Sequence, residues 1–248
     1  MIACCHPGKI GDALYTLPTL RELSKIHNCK IDFYTSTVCT PIIDFLKNQS
    51  CINDVIIPEN YYPCNESQGV QPWFMDVDEA KYKKVYQLGF KTFPDCPLPE
   101  FIALTANLDK TIGNNIYYEY KECPALTINF PYVVIAPGSK EIFKSLYTEI
   151  STKISLPIFV VGSNIEYIPI GYDYTHLNFN DMAFLISRCK LYLGTFSSPL
   201  VIANGFNVPK IIAYTQPIDM SHTVYKPQSH YLFEPTVDQL FYTANIYL

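Results

Sequence analysis

The chain has 248 residues, enough for two compact α/β domains that each bury a core of their own. Its formal net charge of −5 gives no electrostatic footprint for a polyanionic partner, so nucleic acid is not expected. Nine scattered cysteines without a C-x-x-C pair argue against a zinc or thioredoxin-type site, and for reduced, mostly buried thiols in a cytosol.

Ile2 to Cys5 is a short apolar run that reads as a first strand, closed by the turn cluster His6-Pro7-Gly8. Asp12 opens a run with helical spacing, Ala13, Leu14, Leu17, Leu20 and Leu23, in which Pro18 is awkward because it lacks an amide donor and is expected near the helix start, where the loss is smaller. A strand over Lys30 to Tyr34, a helix from Pro41 to Leu46 and a strand over Asp54 to Ile57 follow. Pro58 to Glu79 lacks clear periodicity and reads as a long loop or small excursion, of a kind that is often functional. Lys84 to Leu88 returns to the sheet, and Glu100 to Leu108 reads as a helix.

A second series begins with a strand over Tyr132 to Ala136, followed by Pro137-Gly138-Ser139 and a helix from Lys144 to Ile154. Ile158 to Val161 is a strand ending in Gly162-Ser163-Asn164. Asp181 to Ser187 is a helix that either Asn178 or Asn180 can cap. Leu191 to Leu193 is a strand ending at Gly194. A helix over Ser198 to Phe206 and a strand over Lys210 to Tyr214 complete the series. This double alternation predicts α/β architecture with parallel sheets: an N-terminal domain over residues 1–125 and a C-terminal domain over residues 126–248. The boundary is expected in the stretch 122–131, between Pro124 and Pro131, and the last residues are free to pack back on the first domain. No leader of basic then apolar residues appears and no run of about 18 apolar residues, so a cytoplasmic chain with no membrane span is expected.

Three loops share one design: Pro7–Asp12, Pro137–Lys144 and Gly194–Pro199 each follow a strand's C-terminal end and precede a helix. Ligands of doubly wound sheets bind there, small residues let the backbone approach them, and helix N-termini offer free amides to phosphate oxygens. None of the three is a G-x-G-x-x-G fingerprint or a P-loop, and ordinary turn glycines are the plain alternative. Lys140, Lys144 and Lys153 form either a basic patch or a solvated helix face.

Together the loops resemble the bacterial lipopolysaccharide heptosyltransferases, glycosyltransferase family 9. Gly8-Lys9-Ile10-Gly11-Asp12-Ala13-Leu14-Tyr15-Thr16-Leu17-Pro18-Thr19-Leu20 is similar to that family's G-D-x-L-x-T-x-P-x-L string after the first strand. Ile135 to Ser139 with Lys144 resembles its P-G-[AS] loop and downstream lysine, and Val160 to Glu166 its glycine turn followed by an acidic residue. Met182 to Pro209 is similar to its hallmark string, roughly L-A-x-L-I-x-x-A-D-L-x-V-G-x-D-S-G-P-x-H-L-A-A-A-x-G-x-P. The four blocks stand in the family's order and span nearly the whole chain.

The resemblance implies a GT-B architecture: two Rossmann-like domains facing a cleft, the first holding an acceptor and the second a nucleotide-sugar, with no metal or other cofactor. It implies inverting transfer of a sugar to a hydroxyl acceptor, a saccharide above all. Asp12 would be the general base, and Lys9 and Gly11 would line the cleft beside it. A carboxylate at a helix N-terminus is also a plain cap, which is the structural alternative for Asp12. Lys144 would face the donor's diphosphate and Glu166 its ribose or base. Gly138, Ser139, Gly194, Thr195, Ser197 and Ser198 would cradle the phosphates. Two departures alter this pocket: Phe196 stands where the family has an aspartate, and Val201 where it has a histidine. They support a rival reading, a non-catalytic nucleotide or nucleotide-sugar binder on the same fold; transfer to a modified nucleic acid is a further alternative. The adjacent Cys4, Cys5 and His6 do not make a ready dyad, since neighbours on a strand point to opposite faces, and His222 and His230 are secondary cleft candidates.

Overall fold

The fully buried run Ile2-Ala3-Cys4-Cys5-His6 forms strand β1 (Ile2–His6), with both faces covered as in a parallel sheet. A computed structural model describes residues 1–58, 75–90, 95–162, 170–216, 224, 226 and 228–248. They divide into two compact units between Glu119 and Tyr120, ahead of the stretch 122–131, with Val224 grouped with the first.

In the first unit β1 pairs in parallel with β2 (Ile31–Thr35) on one side and β4 (Val85–Gln87) on the other, and β2 pairs with β3 (Ile52–Ile56). The order β3-β2-β1-β4 puts β1 inside the sheet. The β1–β2 crossover is not one helix but two, α1 (Ile10–Tyr15) and α2 (Leu17–His27), because Pro18 cannot donate to the preceding turn. The chain restarts so that Pro18 falls in the first turn of α2, where the missing amide costs nothing. Thr16 serves as the hinge, its hydroxyl donating to the Ala13 carbonyl at 2.6 Å. Asn28, in the left-handed region at φ 48°, closes α2. A 3-10 turn carrying Pro41 leads into the short α3 (Ile43–Lys47), and α4 (Leu98–Thr105) packs on α1 and α2.

The second unit is a six-stranded parallel sheet of β5 (Val133–Ala136), β6 (Ile158–Val160), β7 (Tyr172–Asp173), β8 (Leu191–Gly194), β9 (Lys210–Tyr214) and β10 (Ser229–Phe233). Its order, β10-β9-β8-β5-β6-β7, is the dinucleotide-fold order of two mononucleotide halves. After β5 the chain moves outward one way to β6 and β7. After β8, which lies on the other side of β5, it moves outward the opposite way. The loops after β5 and β8 therefore flank the switch point, the position where such sheets bind ligands.

One face of this sheet packs Val133, Ile135, Leu191, Leu193, Ile211 and Ala213 against Phe143, Tyr147 and Ile150 of α5 (Glu141–Ser151) and Leu240 and Ala244 of α8 (Val237–Ala244). Helix α5 starts at Glu141 rather than Lys144, which moves Lys144 a full turn inside. The last residues, free in the sequence to return to the first unit, contribute to this second core. Asn178, not Asn180, caps α6 (Phe179–Ser187), accepting from the Asp181 amide at 2.9 Å; Asn180 is engaged with the Lys121 backbone. Helix α7 (Ser198–Ala203) is one turn shorter than its apolar pattern suggests.

Candidate functional site

The first loop carries Asp12 at the third position of α1, and its carboxylate accepts from the Lys9 amide at 2.8 Å. Lys9, whose ammonium only donates, cannot return the bond, so the carboxylate does the capping at this end alone. Beneath it lies Gly8, which is buried. A methyl group there would lie 2.5 Å from Asp12 Oδ2 and 2.6 Å from His6 Cε1, so the carboxylate and the imidazole flank the same glycine. Ser36 donates to the Gly8 carbonyl at 2.7 Å and Thr35 to the His6 carbonyl at 3.1 Å, which ties the loop after β1 to the end of β2.

His6 joins this loop, although no motif in the sequence marks it. It ends β1 fully buried, and its Nδ1 accepts from the Gly8 amide at 3.1 Å, which puts its proton on Nε2. Burial pushes its pKa down to about 4, so the ring is neutral at pH 7, and Nε2 has no hydrogen-bond partner among the described residues. The signal was its place, at the C-terminal end of a strand just before a glycine turn. Burial disfavours the thiolate at Cys4 and Cys5: it raises the Cys4 pKa well above normal and pushes that of Cys5 up to about 12. The eight described cysteines are all free thiols.

In the second unit, Gly138 has φ +72°, a conformation that favours glycine, and a methyl there would lie 2.7 Å from Thr195 Oγ1. The loops after β5 and β8 thus touch across the switch point. Tyr147, buried on α5, donates to the Gly194 carbonyl at 2.6 Å, and Ser197 donates to the Thr195 carbonyl at 3.2 Å, which shapes the second loop. Ser139 is exposed, and Ser197 and Ser198 are partly so. The Lys144 side chain is 16% exposed and lies 3.5 Å from the Glu141 carboxylate, itself 83% exposed.

The structure therefore brings Gly138, Gly194, Thr195, Ser197 and Ser198 into one loop cluster, with Lys144 on the helix that follows β5. Glu166, His222 and residues 59–74 of the Pro58–Glu79 excursion lie outside the described residues. His230 is tied to Tyr247 at 2.7 Å, within the second unit. Lys153, at the far end of α5 from Lys140, pairs with Asp238 at 2.7 Å, so the three lysines do not form one patch. Among the described residues no group of three His, Cys, Asp or Glu side chains is arranged to hold a metal ion, and no helix is long and apolar enough to cross a membrane.

No protein-family model matches the chain, and no curated protein does. Solved structures do. It is similar to the E. coli ADP-heptose lipopolysaccharide heptosyltransferase II, at 13% identity over 99% of this chain and 97% of that one, with a TM-score of 0.64. It is similar also to a glycosyl transferase family 9 protein of Veillonella parvula, at 14% identity, 99% and 88% coverage and a TM-score of 0.62. A third is TibC, the iron-containing dodecameric glycosyltransferase of enterotoxigenic E. coli, at 14% identity and a TM-score of 0.64 over 94% of this chain. The chain has the fold of the family 9 heptosyltransferases. Its two parallel α/β sheets resemble those of GT-B glycosyltransferases. It spans 63% of the length of TibC, and at these identities the likeness is one of fold.

Against that fold's sequence pattern the two departures take different surroundings. Val201, at the histidine's position, is buried on α7. Phe196, at the aspartate's position, is 36% exposed and lies against other aromatic rings, stacked on Tyr231 and edge-on to Tyr214.

Proposed function

We propose that the chain is an inverting glycosyltransferase that moves a sugar from a nucleotide-sugar donor to a hydroxyl acceptor, a saccharide in the leading version. The observation that carries this reading is the meeting of Gly138 and Thr195 at the switch point of the second sheet, with Lys144 close behind. A positive-φ glycine followed by the amides that open α5 suits a diphosphate. TibC, of the same fold, has been solved in complex with ADP-D-beta-D-heptose, which supports a nucleotide-sugar as the ligand class.

In this reading the second unit holds the donor and the first the acceptor. The acceptor hydroxyl attacks the anomeric carbon from the face opposite the diphosphate. The bond from that carbon to the diphosphate oxygen breaks, the nucleoside diphosphate leaves, and the configuration inverts. Asp12 takes the hydroxyl proton, Lys144 offsets the charge developing on the leaving group, and Ser139, Ser197 and Ser198 hydrogen-bond its oxygens. Neutral His6, packed beside Gly8, holds the loop that aims Asp12 and adds no competing charge. Glu166 takes the ribose or base, and Lys9 and Gly11 complete the loop.

The second reading, a binder without catalysis, is favoured by Phe196 and Val201, which remove two polar groups from the donor pocket. One substitution separates the two. Asp12→Asn keeps an oxygen for the Lys9 amide and so keeps the loop, but it cannot take a proton at neutral pH. Donor hydrolysis, with water as acceptor, is expected to fall by about 10²–10⁴-fold while donor binding persists. Donor binding with no turnover in the unsubstituted protein across a broad acceptor panel would establish the binder instead.

A further inference from the structure

Beyond the phosphate loops, the C-terminal ends of β8, β9 and β10 carry a feature that neither packing nor the proposed chemistry has used. In register, Gly194 lies opposite Ile212, Ile212 opposite Tyr231, and Tyr214 opposite Phe233. Side chains alternate along a strand. Ile211 and Ala213 enter the core beneath α5 and α8, so Ile212, Tyr214, Tyr231 and Phe233 share the other face. Phe196, two residues past the end of β8, joins them.

The four rings are contiguous. Phe196 stacks on Tyr231 with centroids 5.9 Å apart and planes 25° from parallel. It meets Tyr214 edge-on at 5.9 Å, and Tyr214 meets Phe233 at 5.4 Å. Packing alone would bury such rings, yet Phe196 is 36% exposed and Phe233 51%. The group begins one residue after Thr195, whose hydroxyl lies against Gly138 at the switch point. An exposed aromatic group at the ligand-binding edge of a doubly wound sheet, continuous with the loops there, has the composition of a small-molecule site: mostly ring surface, with the polar atoms of two tyrosines among it.

We infer that Phe196, Tyr214, Tyr231 and Phe233 form a stacking platform for a ring of the donor beside its diphosphate. The platform offers no charge, so it selects a ring with an apolar face. A nucleotide-sugar supplies two, the flat base and the C–H face of a pyranose. The inference deepens the transferase reading and rests on its placing of the donor at this edge. Where the family's pattern puts a carboxylate that accepts hydrogen bonds, this chain puts a surface that stacks. The donor it takes is thereby recognised by ring shape at that point rather than by a hydroxyl.

Saturation-transfer NMR and calorimetry on the full chain test this, with adenosine, uridine, methyl β-D-glucopyranoside, ADP, UDP, ADP-glucose and UDP-glucose as probes. At least one probe is expected to receive saturation at its ring, and base or pyranose protons tell the two sources apart. Phe196→Ala and Phe233→Ala should each weaken that probe about ten-fold, which is about 1.4 kcal/mol. Phe130→Ala, which removes a ring exposed to 51% elsewhere, should change nothing. Unchanged melting temperatures would show that the variants fold, since both rings are partly in solvent. Diphosphates and nucleotide-sugars that bind the Phe196 and Phe233 variants as well as the parent would overturn the platform and leave the transferase reading standing. Ring binding that depends on Phe196 but gains nothing from a diphosphate would leave a stacking surface but overturn its assignment to the donor, and would count against the transferase reading as well. No ring saturation for any probe at millimolar concentration overturns the platform outright.

Discussion

Replacing Gly8 by alanine tests whether Asp12 acts where the first loop holds it. The backbone there is not left-handed, so alanine meets no intrinsic conformational penalty. The penalty is local crowding: the new methyl lies 2.5 Å from Asp12 Oδ2, 2.7 Å from Asp12 Cβ and 2.6 Å from His6 Cε1. Rotating the carboxylate away does not relieve the contact with Cβ, and the imidazole is fully buried and cannot withdraw. The start of α1 must therefore recede by roughly 1 Å to restore van der Waals spacing, a displacement that can cost on the order of 100-fold in rate. Overpacking of this kind costs about 1–3 kcal/mol, or a few degrees of melting temperature at about 2–4 °C per kcal/mol for a chain of this size. The assay is nucleoside diphosphate release from a nucleotide-sugar, with calorimetry of the same donor. Turnover about 100-fold lower with near-parental donor affinity is the expected result. Gly8→Ala at full rate, in a protein that Asp12→Asn inactivates, would refute the argument that this glycine positions the base.

Lys144→Ala is expected to weaken ADP or UDP by about 1.5–3 kcal/mol, the loss of one charge-assisted contact. Its ion pair with the exposed Glu141 carboxylate is worth little, and unchanged affinity in calorimetry would remove Lys144 from the donor site. His6 makes folding acid-sensitive. Its pKa is about 4 folded against an ordinary 6.5, so the unfolded chain binds the extra proton between those values. Its contribution is complete above pH 6.5 and is lost as pH falls toward 4, with about 3–4 kcal/mol as the upper limit. His6→Gln should flatten that part of the urea-midpoint profile, and an identical profile would mean that the ring is not held neutral.

Much of the strand and helix pattern was legible because it is written locally. Apolar runs closed by glycine and proline located β1, β5, β6, β8 and β9, and the spacing of Leu17, Leu20 and Leu23 located α2. The misses are local signals overruled or overlooked. Pro18 does sit near a helix start, as expected, but the start is that of a second helix, because the run from Asp12 breaks in two at Thr16. Strand β10 mixes serine, histidine and tyrosine with only partial burial, so it shows no apolar run. Helix α8 had a readable start, the box in which Thr236 and Gln239 bond each other's backbone amides.

By itself the sequence determined most of the segments that become strands and helices, β10 excepted, and which turns carry glycine, because those depend on neighbours a few residues away. It also carried the motif order that resembles the heptosyltransferases. Only the tertiary structure decided the order β10-β9-β8-β5-β6-β7, since strand adjacency depends on which crossovers pack together rather than on any one strand's composition. From that order follows the switch point, and with it the contact of Gly138 with Thr195, residues far apart in the chain. The same holds for His6 beside Asp12 and for Phe196 among Tyr214, Tyr231 and Phe233. Each is a meeting of residues across loops or strands, set by register and by close packing, and periodicity along one segment contains no information about its neighbour in space.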